Sequence, residues 1–363
     1  MPEVMPFRDV IGHRRLVELL ARSVSRGTLP PSLILAGPSG VGKRLAALAV
    51  AQSLNCTSQP ATKGRQPGAA SLELPGDACG ACAACTRIAR GVHPDVLIVE
   101  PGDSGAIKID QVREIIDRSA YRPFEGRRRA VIVDEADALV PAAQNALLKT
   151  LEEPPPSSVF MLVTSRPDVL LPTVRSRCPL LRFRPLPPED IMNLLVARGF
   201  AEPEARAVAA AADGSVGRAL EASAGDLVEA RDVAQRVLAQ AASSPGGAVA
   251  AGVRAAGDAS AGRRLDSAKE LLAKSASGVG DRESLATRLR AMASLLRDIA
   301  LIATRADAGA LANADVRPAL ERLAPAYQGE RGVLAFGAID RALVALERNA
   351  GAKVVADWLV LQL

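Results

Sequence analysis

A short apolar run, Leu33-Ile34-Leu35-Ala36, passes straight into Gly37-Pro38-Ser39-Gly40-Val41-Gly42-Lys43 and then into an Ala/Leu-rich stretch, Arg44 to Leu54, that contains no helix breaker. A strand that turns through glycines into a helix constrains this chain of 363 residues more than any other feature. It aims backbone N–H groups and the positive end of a helix at one point, which suits an anion. Gly37, Gly40 and Gly42 permit the tight turn and close approach, and Lys43 is placed to reach the β- and γ-phosphates of a nucleotide. A glycine-rich strand–helix turn without a ligand is the plainer alternative. The position after Lys43 departs from the P-loop pattern. A Ser or Thr there would ligate Mg²⁺, whereas Arg44 repels a cation and can pair with phosphate instead. Nucleotide binding is therefore compatible with this loop, and Mg²⁺-dependent hydrolysis is expected to suffer.

A second apolar strand, Val131-Ile132-Val133, ends in Asp134-Glu135. This is the form of a Walker B element, in which Asp134 would hold the Mg²⁺ shell and Glu135 would polarise the attacking water. Capping of a helix N-terminus is the structural alternative for the two acids. Val96 to Val99 and Val159 to Val163 read as further strands, with helices over Ile109 to Ala120 and Pro141 to Leu151; residues 1–30 read as a loop and then a helix, with Val17, Leu19, Leu20 and Val24 marking its apolar side. Strands alternating with helices predict a parallel sheet covered on both faces, an α/β fold. The alternation stops near Pro185-Leu186-Pro187-Pro188, and the remainder reads as helical to Leu363.

Cys79, Cys82 and Cys85 form C-x-x-C-x-x-C, with Cys56 upstream at the end of the P-loop helix. Four thiolates around one ion make the closed tetrahedral site of structural zinc, with no open position for catalysis. Residues 57–78 between them are rich in Pro, Gly and Ser and read as a mobile insertion. His93 is a weaker substitute ligand, and Cys178 reads as a small core residue. Aromatic residues make up only 2% of the chain, so its core must come from Ala, Leu and Val. The charged N-terminus lacks the apolar run of a signal peptide, and no stretch approaches the roughly 18–20 apolar residues of a spanning helix, so a cytoplasmic protein without membrane contact is expected. A net charge of +5 is compatible with nucleic acid nearby but too mild to establish contact. Arg127-Arg128-Arg129 and the Arg182/Arg184 pair around Phe183 read first as solvated faces, with no interleaved aromatics for base stacking.

Further segments join these in a fixed order. Phe7-Arg8-Asp9-Val10-Ile11-Gly12-His13 precedes the P-loop; Asn145 to Pro155 (NALLKTLEEPP), Thr164-Ser165, Ser176-Arg177-Cys178 and Gly214 to Leu220 (GSVGRAL) follow the Walker B strand. Together they resemble the AAA+ clamp-loader family of bacterial DNA polymerase III over roughly residues 5–225. The resemblance implies an AAA+ α/β domain over 1–180 with an inserted zinc module at about 56–85, a helical lid over 181–225 and an all-α collar over 226–363. It implies nucleotide contacts from Thr164 (sensor 1) and Arg218 (sensor 2), and a trans-acting arginine finger at Arg177. It implies the same zinc set, a hetero-oligomer with motor and delta-type subunits, indirect work on the sliding clamp, and primer–template DNA nearby. Arg44 favours the delta-prime branch, a stator with weak or absent ATPase activity of its own. The Asp134-Glu135 pair keeps a gamma/tau-like motor open, and a zinc-containing DNA-binding module with a vestigial nucleotide site is the third reading.

Overall fold

The computed structural model describes residues 6–58, 74–102, 104–212, 214–221, 224–243, 266–273, 281–304, 311, 313–347 and 350–363. Most of the predicted mobile insertion, residues 59–73, lies outside them. The described chain forms two compact units, one of residues 1–187 with 215–217, the other of the remainder.

The first unit is built on five parallel strands: β1 (Ser32–Ala36), β2 (Val96–Val99), β3 (Arg129–Val133), β4 (Ser158–Thr164) and β5 (Leu180–Arg182). They lie in the order β2-β3-β4-β1-β5. Helices α1 (Arg14–Ser25), α2 (Lys43–Asn55), α3 (Ala83–Ala89), α4 (Ile109–Ala120), α5 (Pro141–Glu152) and the short α6 (Pro172–Arg175) connect them. Strands β1, β3 and β4 are buried along their whole length, which is why they appear in the sequence as continuous apolar runs rather than as alternations.

Side chains nevertheless alternate between the two faces. Leu33, Leu35, Ala130, Ile132 and Met161 pack with α1 and α2, whereas Ile34, Val131, Val133, Phe160 and Leu162 pack with α4 and α5. Helix α2 turns almost every residue inward, and its alanines let it lie close to the sheet. Each fully buried Leu or Ile in these layers contributes about 1.5–3 kcal/mol. On α1 the apolar side is Val17, Leu20 and Ala21; Leu19, read from the sequence as part of it, faces outward.

The second unit is helical throughout its described residues. Its core gathers Leu285, Leu289, Met292, Leu295 and Ile299 of the helix Asp281–Ala303 against the helices Ala224–Ser243, Glu330–Glu347 and Ala352–Gln362. The Tyr327 hydroxyl donates to Leu238 O across this core at 2.8 Å, and burial pushes its pKa up to about 12. Among the described residues no helix is long and apolar enough to cross a membrane.

Candidate nucleotide and metal sites

Register brings the chemistry to one edge of the sheet. Ala36 pairs with Thr164, and Val133 with Leu162, so the loop after β1, the acids after β3 and the end of β4 meet beyond the strands' carboxyl ends, where open α/β sheets bind ligands. Gly37, Gly40 and Gly42 all have positive φ, at 154°, 75° and 96°. At two of them a side chain would also collide: a Cβ on Gly37 would lie 2.2 Å from Phe183 O, and one on Gly40 would lie 2.1 Å from Ser215 Oγ. The predicted turn is therefore a glycine requirement in this fold. Lys43 opens α2, is buried, and donates through Nζ to Gly37 O at 2.7 Å and Pro38 O at 2.6 Å. Burial lowers its pKa, against the pull of Asp134 and Asp137.

Arg44 reaches across to β3. Its Nη1 donates to Asp134 Oδ2 at 2.8 Å and also contacts the carboxylate of Glu100, the residue after β2. Asp134 accepts the Glu135 N–H at 3.0 Å, and Glu135 sits at a left-handed φ of 49°. Burial raises the Glu135 pKa, helped by the charges of Asp134, Asp137 and Glu100 and opposed by Arg44. The sequence reading missed both Glu100 and Asp137. Asp137 accepts from Thr164 Oγ1 at 2.8 Å, from Ser165 N at 3.2 Å and from Arg166 Nε at 3.1 Å. Burial disfavours its charge, but these donors outweigh burial and hold its pKa low. Thr164 is thus buried at the end of β4 with its hydroxyl committed to Asp137.

On the far side of β1, His13 stacks edge-on against Phe183 with ring centroids 4.8 Å apart, and its Nε2 lies 3.1 Å from Val41 O. The Phe7–His13 segment is in this way joined to the glycine loop. Arg177 follows α6 and is held within its own chain. Its guanidinium bonds Glu152 at 3.0 Å, through both Nε and Nη2, and donates from Nη1 to Thr173 O at 3.0 Å. Arg218 belongs to the second unit, on the helix Val216–Glu221. Cys178 is buried among apolar neighbours, as predicted, and burial pushes its thiol up to about 11.

The sulfurs of Cys56, Cys79, Cys82 and Cys85 all lie within 4.8 Å of one another. Cys56 to Cys82 and Cys79 to Cys85 are each 4.0 Å apart. A disulfide needs about 2.05 Å, whereas tetrahedral zinc with Zn–S of about 2.3 Å sets sulfurs about 3.8 Å apart. The donor set therefore fits zinc. Backbone N–H groups turn toward the sulfurs, Cys79 N to Cys56 at 3.3 Å and Cys82 N to Cys79 at 3.2 Å, as suits thiolates. Burial opposes ionisation of Cys82, but bonds from Thr57 and the Cys85 N–H draw it down to about 5; burial raises Cys56 and Cys85. His93 stands apart from the cluster. It is buried, and its Nδ1 faces the Asp95 N–H at 3.1 Å. Arg129 also differs from its sequence reading: it is buried against Asp95 at 2.9 Å rather than solvated.

The strand order, the glycine loop and the acidic end of β3 define an AAA+ P-loop module. Residues 12–187, just under half of the chain, match the family described as "DNA polymerase III, delta subunit", and this match, with the relatives below, supports membership of the DNA polymerase III clamp-loader family. It is 34% identical over 189 residues to DNA polymerase III subunit gamma/tau of Mycobacterium tuberculosis, covering 52% of this chain and 30% of the relative. It is 39% identical over 146 residues to subunit delta' of Pseudomonas aeruginosa, 40% of each chain. To subunit delta' of Bacillus subtilis it is 32% identical over 212 residues, 58% of this chain and 59% of the relative. The chain thus spans 30% of the length of the mycobacterial relatives. A Thermotoga maritima structure described as DNA polymerase III gamma subunit-related aligns over 94% of this chain and 96% of its own at 17% identity, with a TM-score of 0.45.

Proposed function

We propose that this chain is a delta-prime-like stator of the DNA polymerase III clamp loader. It assists ATP-dependent loading of the sliding clamp onto primed DNA while its own site turns over little or no ATP. The observation that carries this reading is Arg44, which takes the place of the Mg²⁺-ligating hydroxyl and is bound to Asp134 and Glu100. Lys43 and the glycine loop would bind nucleotide phosphates, with Thr164 as a further contact. Arg177 would serve the nucleotide of a neighbouring subunit. The helices after residue 226 would form the collar that joins motor and delta-type subunits. The four cysteines would hold one structural zinc, which supplies a rigid cross-link and no chemistry.

The test is ATP turnover by the purified chain, alone and assembled with its motor and delta-type partners. The stator reading expects no turnover above background alone and active hydrolysis in the assembly. Turnover by the isolated chain at about one per second or faster, the usual enzymatic range, abolished by Glu135→Gln, would select a motor subunit instead. That second reading draws support from the retained Asp134-Glu135 pair and from the similarity to gamma/tau subunits.

A further inference from the structure

Four carboxylates, Glu100, Asp134, Glu135 and Asp137, gather around the mouth of the glycine loop with three cations, Lys43, Arg44 and Arg166. A P-loop site ordinarily balances such acids and the incoming phosphates with Mg²⁺, held by the residue after the lysine and by the Walker B aspartate. Here neither partner suits the ion. The residue after the lysine is a guanidinium, which has no lone pair to give, and its Nη1 lies 2.8 Å from Asp134 Oδ2 while it also grips Glu100. The acids after β2 and β3 are therefore bridged by a guanidinium that takes the carboxylate a metal would need. Magnesium entry would place a divalent charge beside that guanidinium and break two ion pairs.

The residues do not fit Mg²⁺, and we infer that Arg44 is the resident cation of this site and that its ligand is the metal-free nucleoside polyphosphate. This rests on the nucleotide-binding reading above. Asp134 and Glu100 act on the ligand through Arg44: they orient its planar fork toward the phosphates beside the Lys43 ammonium. An arginine can meet two phosphate oxygens at once. The site then needs no metal to compensate phosphate charge and offers no Mg²⁺ to polarise an attacking water.

The experiment is calorimetric titration of ATP into the full-length chain, once with excess magnesium and once with excess EDTA, for the wild type and for Arg44→Thr. The wild type should bind free ATP as well as its magnesium complex or better. Arg44→Thr regains the ligating hydroxyl and loses a charge-assisted pair, so its affinity should fall roughly tenfold or more on adding EDTA. Wild-type binding that collapses in EDTA overturns the inference and leaves the nucleotide site standing. Absence of binding by both proteins under both conditions overturns the nucleotide reading and this inference with it. The wild-type pair of titrations decides the matter even where the variant folds poorly. Arg44→Lys, which keeps a cation but loses the fork, should bind in EDTA more weakly than wild type.

Discussion

Asp95 lies wholly buried just before β2, where it accepts the N–H groups of Phe124, Glu125 and Gly126 at 2.7–2.9 Å and grips Arg129 at 2.9 Å. Arg129 in turn donates to the carbonyls of Arg118, Tyr121 and Arg122. The pair staples the connection from α4 to the very strand that carries Asp134. Burial disfavours the Asp95 charge, but its donors outweigh that effect and bring the pKa from 3.8 to about 2. A depressed carboxylate pKa stabilises the fold above the unfolded value and loses that contribution as pH falls from about 4 toward 2. The stabilisation at neutral pH is about 2 kcal/mol. Asp95→Ala, which also leaves Arg129 buried without its partner, should destabilise by about 3–5 kcal/mol. In urea melts the gap between wild type and variant should narrow at pH 3; a gap equal at both pH values would contradict this. None of this network was legible in the sequence, although Lys43, Arg44 and Asp134 were. The loop and Walker B motifs are contiguous, so spacing alone displays them. Glu100 meets Asp134 only because Val99 pairs with Val133 in register, and Asp137 meets Thr164 only through β4. Pairing the ends of neighbouring predicted strands is the signal that would have found both.

Helix α2 links the two candidate sites, with Lys43 at its first residue and Cys56 just past its last. From the cysteine cluster a second path leads to the N-terminal segment. Asp77 accepts Phe7 N at 2.8 Å and Arg8 Nη1 at 2.9 Å, while Arg8 also donates to Ala78 O and Cys79 O. A metal that fixes Cys79 thereby fixes the segment leading to His13 and the loop carbonyl of Val41. Purified protein should contain about one zinc per chain and lose it in Cys82→Ser. Hydrogen exchange at Phe7–Val10 should quicken on metal loss while β1, β3 and β4 stay protected. A zinc-free protein with unaltered protection at those residues would refute the structural role. At this scale the sequence was readable wherever an element is a contiguous apolar run, as in the four predicted strands. The fifth strand, Leu180–Arg182, escaped because it is three residues long and partly exposed. Helix α3 escaped because the cysteine spacing dominates its seven residues.

Under the proposed function, Arg177 is the residue to test at the scale of the assembly. Glu152 at the end of α5 and the Thr173 carbonyl hold the guanidinium at 3.0 Å contacts, half-exposed. An arginine supplied in trans is worth about 10³–10⁵ in rate for some NTPases, by stabilising charge on the departing γ-phosphate. Arg177→Ala should leave this chain's folding and assembly intact, since a partly exposed ion pair contributes little stability. The damage should fall on one neighbouring site. Steady ATPase of the reconstituted loader should then drop. Clamp loading should drop with it. Arg177→Lys should rescue little, as an ammonium lacks the planar fork. Glu152→Gln keeps the arginine but loosens its orientation, so it should give a milder loss of the same kind. Complexes matched for assembly, with clamp and primed DNA present, provide the measurement. Unchanged ATPase and clamp loading with Arg177→Ala would reduce this chain to a scaffold whose arginine serves only its own Glu152.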